Sequence, residues 1–427
     1  MSTASTPTSG RAAGTGPAAA AALLPAGAAI RVFLAFAGGY FMSYALRSVN
    51  AMISPGLTEE FGLTNAQLGS LSAAYFFAFA ALQLPLGIWL DRFGSRRVDA
   101  SLLLVAAAGC AVFALATGPA MLWAGRALIG AGVSGALMCS LRAFRFWYAA
   151  ERQQQLAAWM LVAGTLGALV TTVPVQMALP LLGWRGVFWV AALLLAVASA
   201  AIFFLLPHEP MQSPKKGESP WAGYLTVFST PYFWRFVIPA MMIQSSFIAF
   251  QSLWIGPWFR QVLGMGLDES ARALFAFNMV LMFGYLALGW AAPRLARRGW
   301  STLSLVVMGS VLLLATQLAI AFAGGPLAWL LWLGVAILVT VHTLTQTHVS
   351  LVFPEQLTGR AFTAFNLLIF SGMFLAQWLF GVLVDALGGS AGGGEGFRGA
   401  MMVWVALQGL SLLVLVLWRV SPPRHEG

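Results

Sequence analysis

The stretch Gly87-Ile88-Trp89-Leu90-Asp91-Arg92-Phe93-Gly94-Ser95-Arg96-Arg97 is a charged turn set between two long apolar runs, residues 64–89 and 98–117. About 20 apolar residues, each rising 1.5 Å, cross the roughly 30 Å hydrocarbon layer of a bilayer. Both runs are long enough to do so, and the segment between them reads as the turn of a hairpin of spanning helices. Its arginines then lie in water or at the headgroups of one membrane face.

Composition extends this reading to the whole chain. Apolar residues make up 60% and charged residues 8%, against the roughly 25% charged that soluble domains carry. Most side chains therefore cannot face water, and an integral, all-α membrane protein is expected. A net charge of +10 would suggest nucleic-acid binding in a soluble chain. Here the basic residues fall in short clusters between apolar spans and read as topology signals, so no nucleic-acid partner is expected. Cys110 and Cys139 lie inside predicted spans without metal-ligand spacing, which argues against a disulfide framework and a metal site. No Gly-x-x-x-x-Gly-Lys-Ser/Thr loop occurs, so ATP is not the driver. No cofactor and no enzymatic activity are expected.

Residues 1–29 are rich in Ala, Gly, Ser, Thr and Pro and read as a disordered cytoplasmic tail. Apolar spans follow at 30–54, 64–89, 98–117, 121–146, 153–178 and 186–206, numbered 1 to 6. A polar linker over 207–233 precedes spans 7 to 12 at 234–258, 271–292, 301–323, 327–352, 361–385 and 399–420. The expected architecture is twelve transmembrane helices in two pseudo-symmetric six-helix bundles, 30–206 and 234–420, with a cytoplasmic tail at 421–427. Most Lys and Arg residues fall on the face that holds Arg92, while Arg185, Arg260, Arg272 and Arg398 fall on the other. The positive-inside rule then places both termini and the linker in the cytoplasm.

The halves echo each other. Gly289-Trp-Ala-Ala-Pro293-Arg294-Leu-Ala-Arg297-Arg298 repeats the first-half turn with glycine four residues before Asp91 or Pro293 and arginine directly after each. Repeated six-span halves with a site near the midplane are a transporter architecture.

With these residues in view, the chain resembles the major facilitator superfamily. Gly87-x-x-x-Asp91-Arg92-x-Gly94-x-Arg96-Arg97 is similar to the family's signature between helices 2 and 3. Leu122-x-x-x-Arg126-x-x-x-Gly130-x-Gly132 is similar to its helix 4 motif, with Ile129 where glutamine is common. Gly183-Trp184-Arg185 before span 6, and Pro354-Glu355-x-x-x-Gly359-Arg360-Ala361 before span 11, also fit. The resemblance covers about residues 30 to 420 and implies a secondary transporter of a bacterial-type inner membrane working by alternating access.

Asp91, at the end of span 2, could pair with Arg92, Arg96 or Arg145, or face the positive N-terminal end of span 11. The resemblance implies that such an acid belongs to a charge network holding the outward-open state. Gly87, Asp91, Arg92, Gly94, Arg97, Arg145, Glu355 and Arg360 are the gating candidates, the glycines serving the turn and close helix approach. The alternative is that these charges only fix topology.

Ionisable residues at membrane depth are costly and point to function. Tyr40, Tyr44, Arg47 and Asn50 form one helical stripe of span 1 at spacings of three and four. Arg47 could snorkel to headgroups, or hold a carboxylate or phosphate in its fixed fork of donors. The phrase Gly39 to Asn50 also resembles helix 1 of the superfamily's organic-anion and organophosphate carriers, where an arginine at the matching place binds the anion. Span 7 has no second deep arginine, so a singly charged solute fits better than a phosphate ester. Gln244, Phe247, Gln251 and Trp254 of span 7 suit a polar cavity wall. Asn366, Phe370, Phe374, Gln377 and Trp378 of span 11, with Asn278 and Tyr285 of span 8, could complete it.

Coupling is sought in Arg126, tied by the resemblance to coupling or internal packing, and in His342, whose type suits proton exchange. No Asp or Glu is expected deep in a span, with Asp99 and Asp385 near helix ends. The expected cargo is a small organic anion, moved by a monomer with protons as coupling ion or by exchange. Rivals are a polyspecific exporter of lipophilic compounds and a carrier-like receptor without net transport.

Overall fold

Gly94 takes φ 74° and ψ 164°, a region open essentially to glycine alone, and there the chain folds back between spans 2 and 3. This comes from a computed structural model, which describes residues 24–149, 152–207, 222–388 and 394–421. The side chains of Asp91 and Glu355 lie outside the described residues, as does most of the expected N-terminal tail.

Twelve helical passes run through the described residues. Span 1 comprises Ala26–Ser48 and Asn50–Phe61, parted at Val49. Spans 2 and 3 are the limbs 65–93 and 95–114 of Asn65–Ala114. Span 4 comprises Pro119–Val133 and Ala136–Trp147. Span 5 joins Gln153–Val170 to 173–182, and span 6 is the limb 184–205 beyond Gly183. Span 7 runs through Pro231–Ala249, a π-turn at Phe250–Trp254, and Ile255–Gln261. Spans 8 and 9 are Leu267–Arg297 and Thr302–Phe322. Span 10 runs through Leu330–Leu338, a 3₁₀ turn at Val339–His342, and Thr343–Leu351. Spans 11 and 12 are Glu355–Ala386 and Glu395–Leu417.

Sequence chemistry explains several boundaries. Thr64 caps span 2 by accepting from the Gln67 backbone N–H, while the Gln67 side chain accepts from the Thr64 N–H, which satisfies two N–H groups that a helix start leaves free. Span 1 starts four residues earlier than expected, directly after Pro25, because Ala-rich sequence sustains a helix and proline is tolerated at its start. The linker is not wholly irregular. Ala222–Phe228 forms a short helix that buries Val227 and packs Phe228 against Phe233 at 5.8 Å between ring centroids.

Large apolar side chains such as Met177, Leu181, Phe204 and Leu417 are 72 to 86% exposed. Such a surface is compatible with lipid and not with water, and the chain is a multi-pass membrane protein. Arg92, Arg97, Arg145, Arg294, Arg297 and Arg298 are exposed at one end of the bundle, termed here the basic face. At the opposite, far face, Arg185 forms a bidentate pair with Glu60, at 2.8 and 2.6 Å, and Trp184 donates to the same carboxylate at 2.9 Å. Arg185 holds the Glu60 carboxyl below its ordinary range. The Gly183-Trp184-Arg185 phrase therefore ties the start of span 6 to the end of span 1.

Candidate functional site

Span 1 carries the tyrosine and arginine stripe inward. Tyr40 and Tyr44 pack edge to face at 5.0 Å, and Gly164 of span 5 leaves room for both rings, since a Cβ there would lie 2.8 and 2.9 Å from them. The Arg47 guanidinium sits 4.3 Å over the Tyr44 ring and 5.6 Å from the Phe370 ring. Tyr75 lies within electrostatic reach of the guanidinium, and its hydroxyl donates to the Ser43 carbonyl at 3.1 Å. Arg47 is 9% exposed and its Nε has no partner. Tyrosines surround it, with no carboxylate among the described residues facing it. An arginine at a headgroup would be open to solvent, so this one does not snorkel.

The second half completes the ring. Tyr285 of span 8 is within electrostatic reach of Arg47 and Tyr44. Phe370 of span 11 stacks on Phe79 of span 2 at 4.0 Å and 16°, which closes one side of the site across the two halves. Gln251 donates to Asn278 at 2.8 Å, and Gln244 donates to the His342 carbonyl at 2.7 Å. Both contacts fall where helical hydrogen bonding is irregular, at the π-turn of span 7 and the 3₁₀ turn of span 10. Spans 1, 4 and 5 are also interrupted, near Val49, Ser134 and Thr171. Irregular backbone in a membrane is tolerated where it is buried in protein or lines a cavity.

Other stripe residues are turned to different work. Asn50 is buried and donates to Ser72 at 2.6 Å, joining spans 1 and 2. Gln377 is fully buried and donates to Ser252 at 2.6 Å and to the Ala249 carbonyl at 3.2 Å, which serves the π-turn. Trp254 is fully buried against Phe380 and Phe397, above the site toward the far face. Asn366 is half-buried on span 11, one turn before Phe370, and Trp378 is exposed on the outer surface of that span.

Arg126 is buried, donates from Nη1 to the Leu46 carbonyl at 2.7 Å, and lies 5.0 and 5.3 Å from the rings of Phe113 and Phe188. It faces the interior of the first half. His342 is 1% exposed and its Nε2 has no partner. Asp99 is deeper than expected: the start of span 3 is covered by span 4, leaving the carboxyl 1% exposed beside Cys139.

At the basic face Arg92 lies 5.2 Å over Phe93, and Arg97 and Arg145 are exposed. Arg360 packs on Gly223 of the short linker helix and within electrostatic reach of Tyr224. Gly94 makes the turn, but a Cβ on Gly87 would meet nothing within 4 Å, so close helix approach does not require a glycine there. Sequence reasoning missed Tyr75 and Phe79. Their aromatic run, Tyr75-Phe76-Phe77-Ala78-Phe79, has the composition of a lipid-facing surface.

The profile of the Major Facilitator Superfamily matches residues 36–377. The chain is 24% identical to a hexuronate transporter of Escherichia coli (strain K12), over 87% of this chain and 92% of that protein. It is 25% identical to a D-galactonate transporter of Escherichia coli O6:H1, over the same shares. The fold is similar to the crystal structure of a bacterial homologue of the human lysosomal transporter Spinster in an inward-facing, occupied conformation. That likeness has a TM-score of 0.77 at 16% identity and covers 94% of this chain and 100% of the other. With its six-plus-six helical passes and the matched profile, the chain belongs to the Major Facilitator Superfamily, a family of transporters and not of enzymes.

Proposed function

We propose that the protein is a secondary transporter of a small organic monoanion, with Arg47 holding its carboxylate. The observation that carries this reading is a buried guanidinium with an unpaired Nε, faced by tyrosines and no carboxylate among the described residues. A buried charge without a counter-ion is costly, and a planar carboxylate would offset that cost through two parallel hydrogen bonds. In this reading Gln251, Tyr44 and Tyr285 would meet hydroxyl groups of the cargo, which favours a sugar acid. The relatives named for hexuronate and D-galactonate agree with that class.

Cargo would reach Arg47 by alternating access, with both termini and the linker in the cytoplasm of a bacterial inner membrane. Accumulation driven by protons is assigned to His342, the buried imidazole next to the polar wall of span 7. The protein acts as a monomer in this reading.

Uptake into proteoliposomes tests it. Labelled hexuronate or aldonate should accumulate under an inward proton gradient, and the uncharged parent sugar should not compete. Equal competition by the sugar would overturn the anion reading. His342→Gln should stop accumulation while leaving exchange across equilibrated membranes intact; continued accumulation would remove His342 from coupling.

A further inference from the structure

We propose that Asp385 is the far-face latch of the transport cycle, a carboxylate of the second half that caps a helix of the first. Spans 2 and 11 run antiparallel across the boundary between the halves. At its C-terminal end, span 11 presents Asp385 to the start of span 2. There Oδ1 accepts from Asn65 Nδ2 at 2.9 Å and Oδ2 accepts from the Ala66 N–H at 2.7 Å. The first N–H groups of a helix have no intrahelical acceptor and carry partial positive charge, so a carboxylate is well suited to them. Thr64 and Gln67 already satisfy each other within span 2, and the capping carboxylate for the next N–H comes from the other half.

The backbone at this seam is shaped for contact. A Cβ on Gly381, one turn before Asp385, would lie 2.5 Å from the Asn65 carbonyl. A Cβ on Gly69, one turn into span 2, would collide with the Gln377 carbonyl. The Trp254 ring lies against both positions, at 3.1 Å from the first-half glycine's Cβ site and 3.0 Å from that of Gly381. Small residues on facing helices let the backbones close and shield the two hydrogen bonds. Farther along the same boundary Arg260 of span 7 donates to Ser54 of span 1 at 3.0 Å. Opening the far face requires parting all of these, and the Asp385 contact joins a full charge to a helix end of the other half.

The inference rests on the alternating-access reading but not on the cargo. Asp385 is a positioning residue: it sets the population of the far-closed state and does not touch cargo. It also mirrors the contact considered for Asp91 and span 11, at the opposite end of the same antiparallel pair.

The test is a distance measurement by pulsed electron paramagnetic resonance on the full chain in lipid nanodiscs without cargo. Spin labels sit at Thr117→Cys and Gly324→Cys, exposed far-face positions on the first and second halves, in a background lacking Cys110 and Cys139. Asp385→Ala should raise the long-distance, far-open population by on the order of tenfold, the effect of losing a charge-assisted contact. Gly381→Ala, which keeps the carboxylate but wedges the seam, should shift it in the same direction. Glu395→Gln, an exposed acid of span 12 on the same face, should leave the distribution unchanged.

Unchanged distances in both folded seam variants would overturn the latch, as would an equal shift from Glu395→Gln. Because the readout needs no cargo, a failure of the anion reading leaves this result interpretable. Sustained anion flux with unmoved distances would refute the latch alone.

Discussion

Arg126 of span 4 donates to the carbonyl of Leu46 in span 1 at 2.7 Å, one residue from Arg47 and beside the break at Val49. The guanidinium thus braces the segment that carries the proposed anion ligand. Arg126→Gln should lower thermal stability, since a charged donor to a buried carbonyl contributes about 1.5 to 3 kcal/mol. Thermal unfolding of purified protein checks this. A variant with wild-type stability that no longer accumulates cargo would place Arg126 in coupling instead.

Gly94 carries the turn of the signature segment at φ 74° and ψ 164°. Gly94→Ala should cost about 1 to 3 kcal/mol in a region that side chains rarely enter, seen as a lower yield of folded protein. Gly87→Ala should be tolerated, because open space surrounds its Cβ position. Equal losses from both substitutions would contradict this division of roles.

The Glu60 and Arg185 pair gives a pH signature outside the membrane. Its arginine lowers the folded carboxyl pKa, so the contact contributes above the unfolded carboxyl pKa and is lost as pH falls through the folded one. The side chains are 39 and 42% exposed, and screening limits the effect to about 1 kcal/mol or less. Melting temperatures of wild type and Glu60→Gln should differ slightly at neutral pH and converge in acid. A gap that widens on acidification would rule the pair out as its source.

Tyr75 lies within electrostatic reach of Arg47 and donates to the Ser43 carbonyl. Tyr75→Phe should weaken anion binding by roughly 0.5 to 1.5 kcal/mol, a typical single hydrogen bond, while leaving the fold intact. Calorimetric titration decides, and an unchanged Kd would remove Tyr75 from the support of the site.

The chain's own letters carry much of this molecule. Twelve passes follow from apolar run lengths, and the Arg47 stripe follows from spacings of three and four in a regular helix. The span 7 stripe is different. Gln251 meets Asn278 as a polar wall residue should, but the π-turn at Phe250–Trp254 changes the residues per turn. Trp254 consequently rotates out of the line that a 3.6-residue period projects and enters the far-face seam. Asn65 and Asp385 are 320 residues apart, and neither lies in a periodic pattern. Their pairing exists only once spans 2 and 11 meet, and no local rule foretells it.

The most direct test of the account is the dissociation constant of a sugar-acid monoanion for wild type, Arg47→Lys and Arg47→Ala, each shown to be folded by its thermal unfolding. The account predicts a loss of roughly 2 to 5 kcal/mol for Arg47→Ala, at least about thirtyfold in Kd. It also predicts clear impairment in Arg47→Lys, whose ammonium keeps the charge but not the planar donor fork. Near-equal affinities in all three proteins would contradict it.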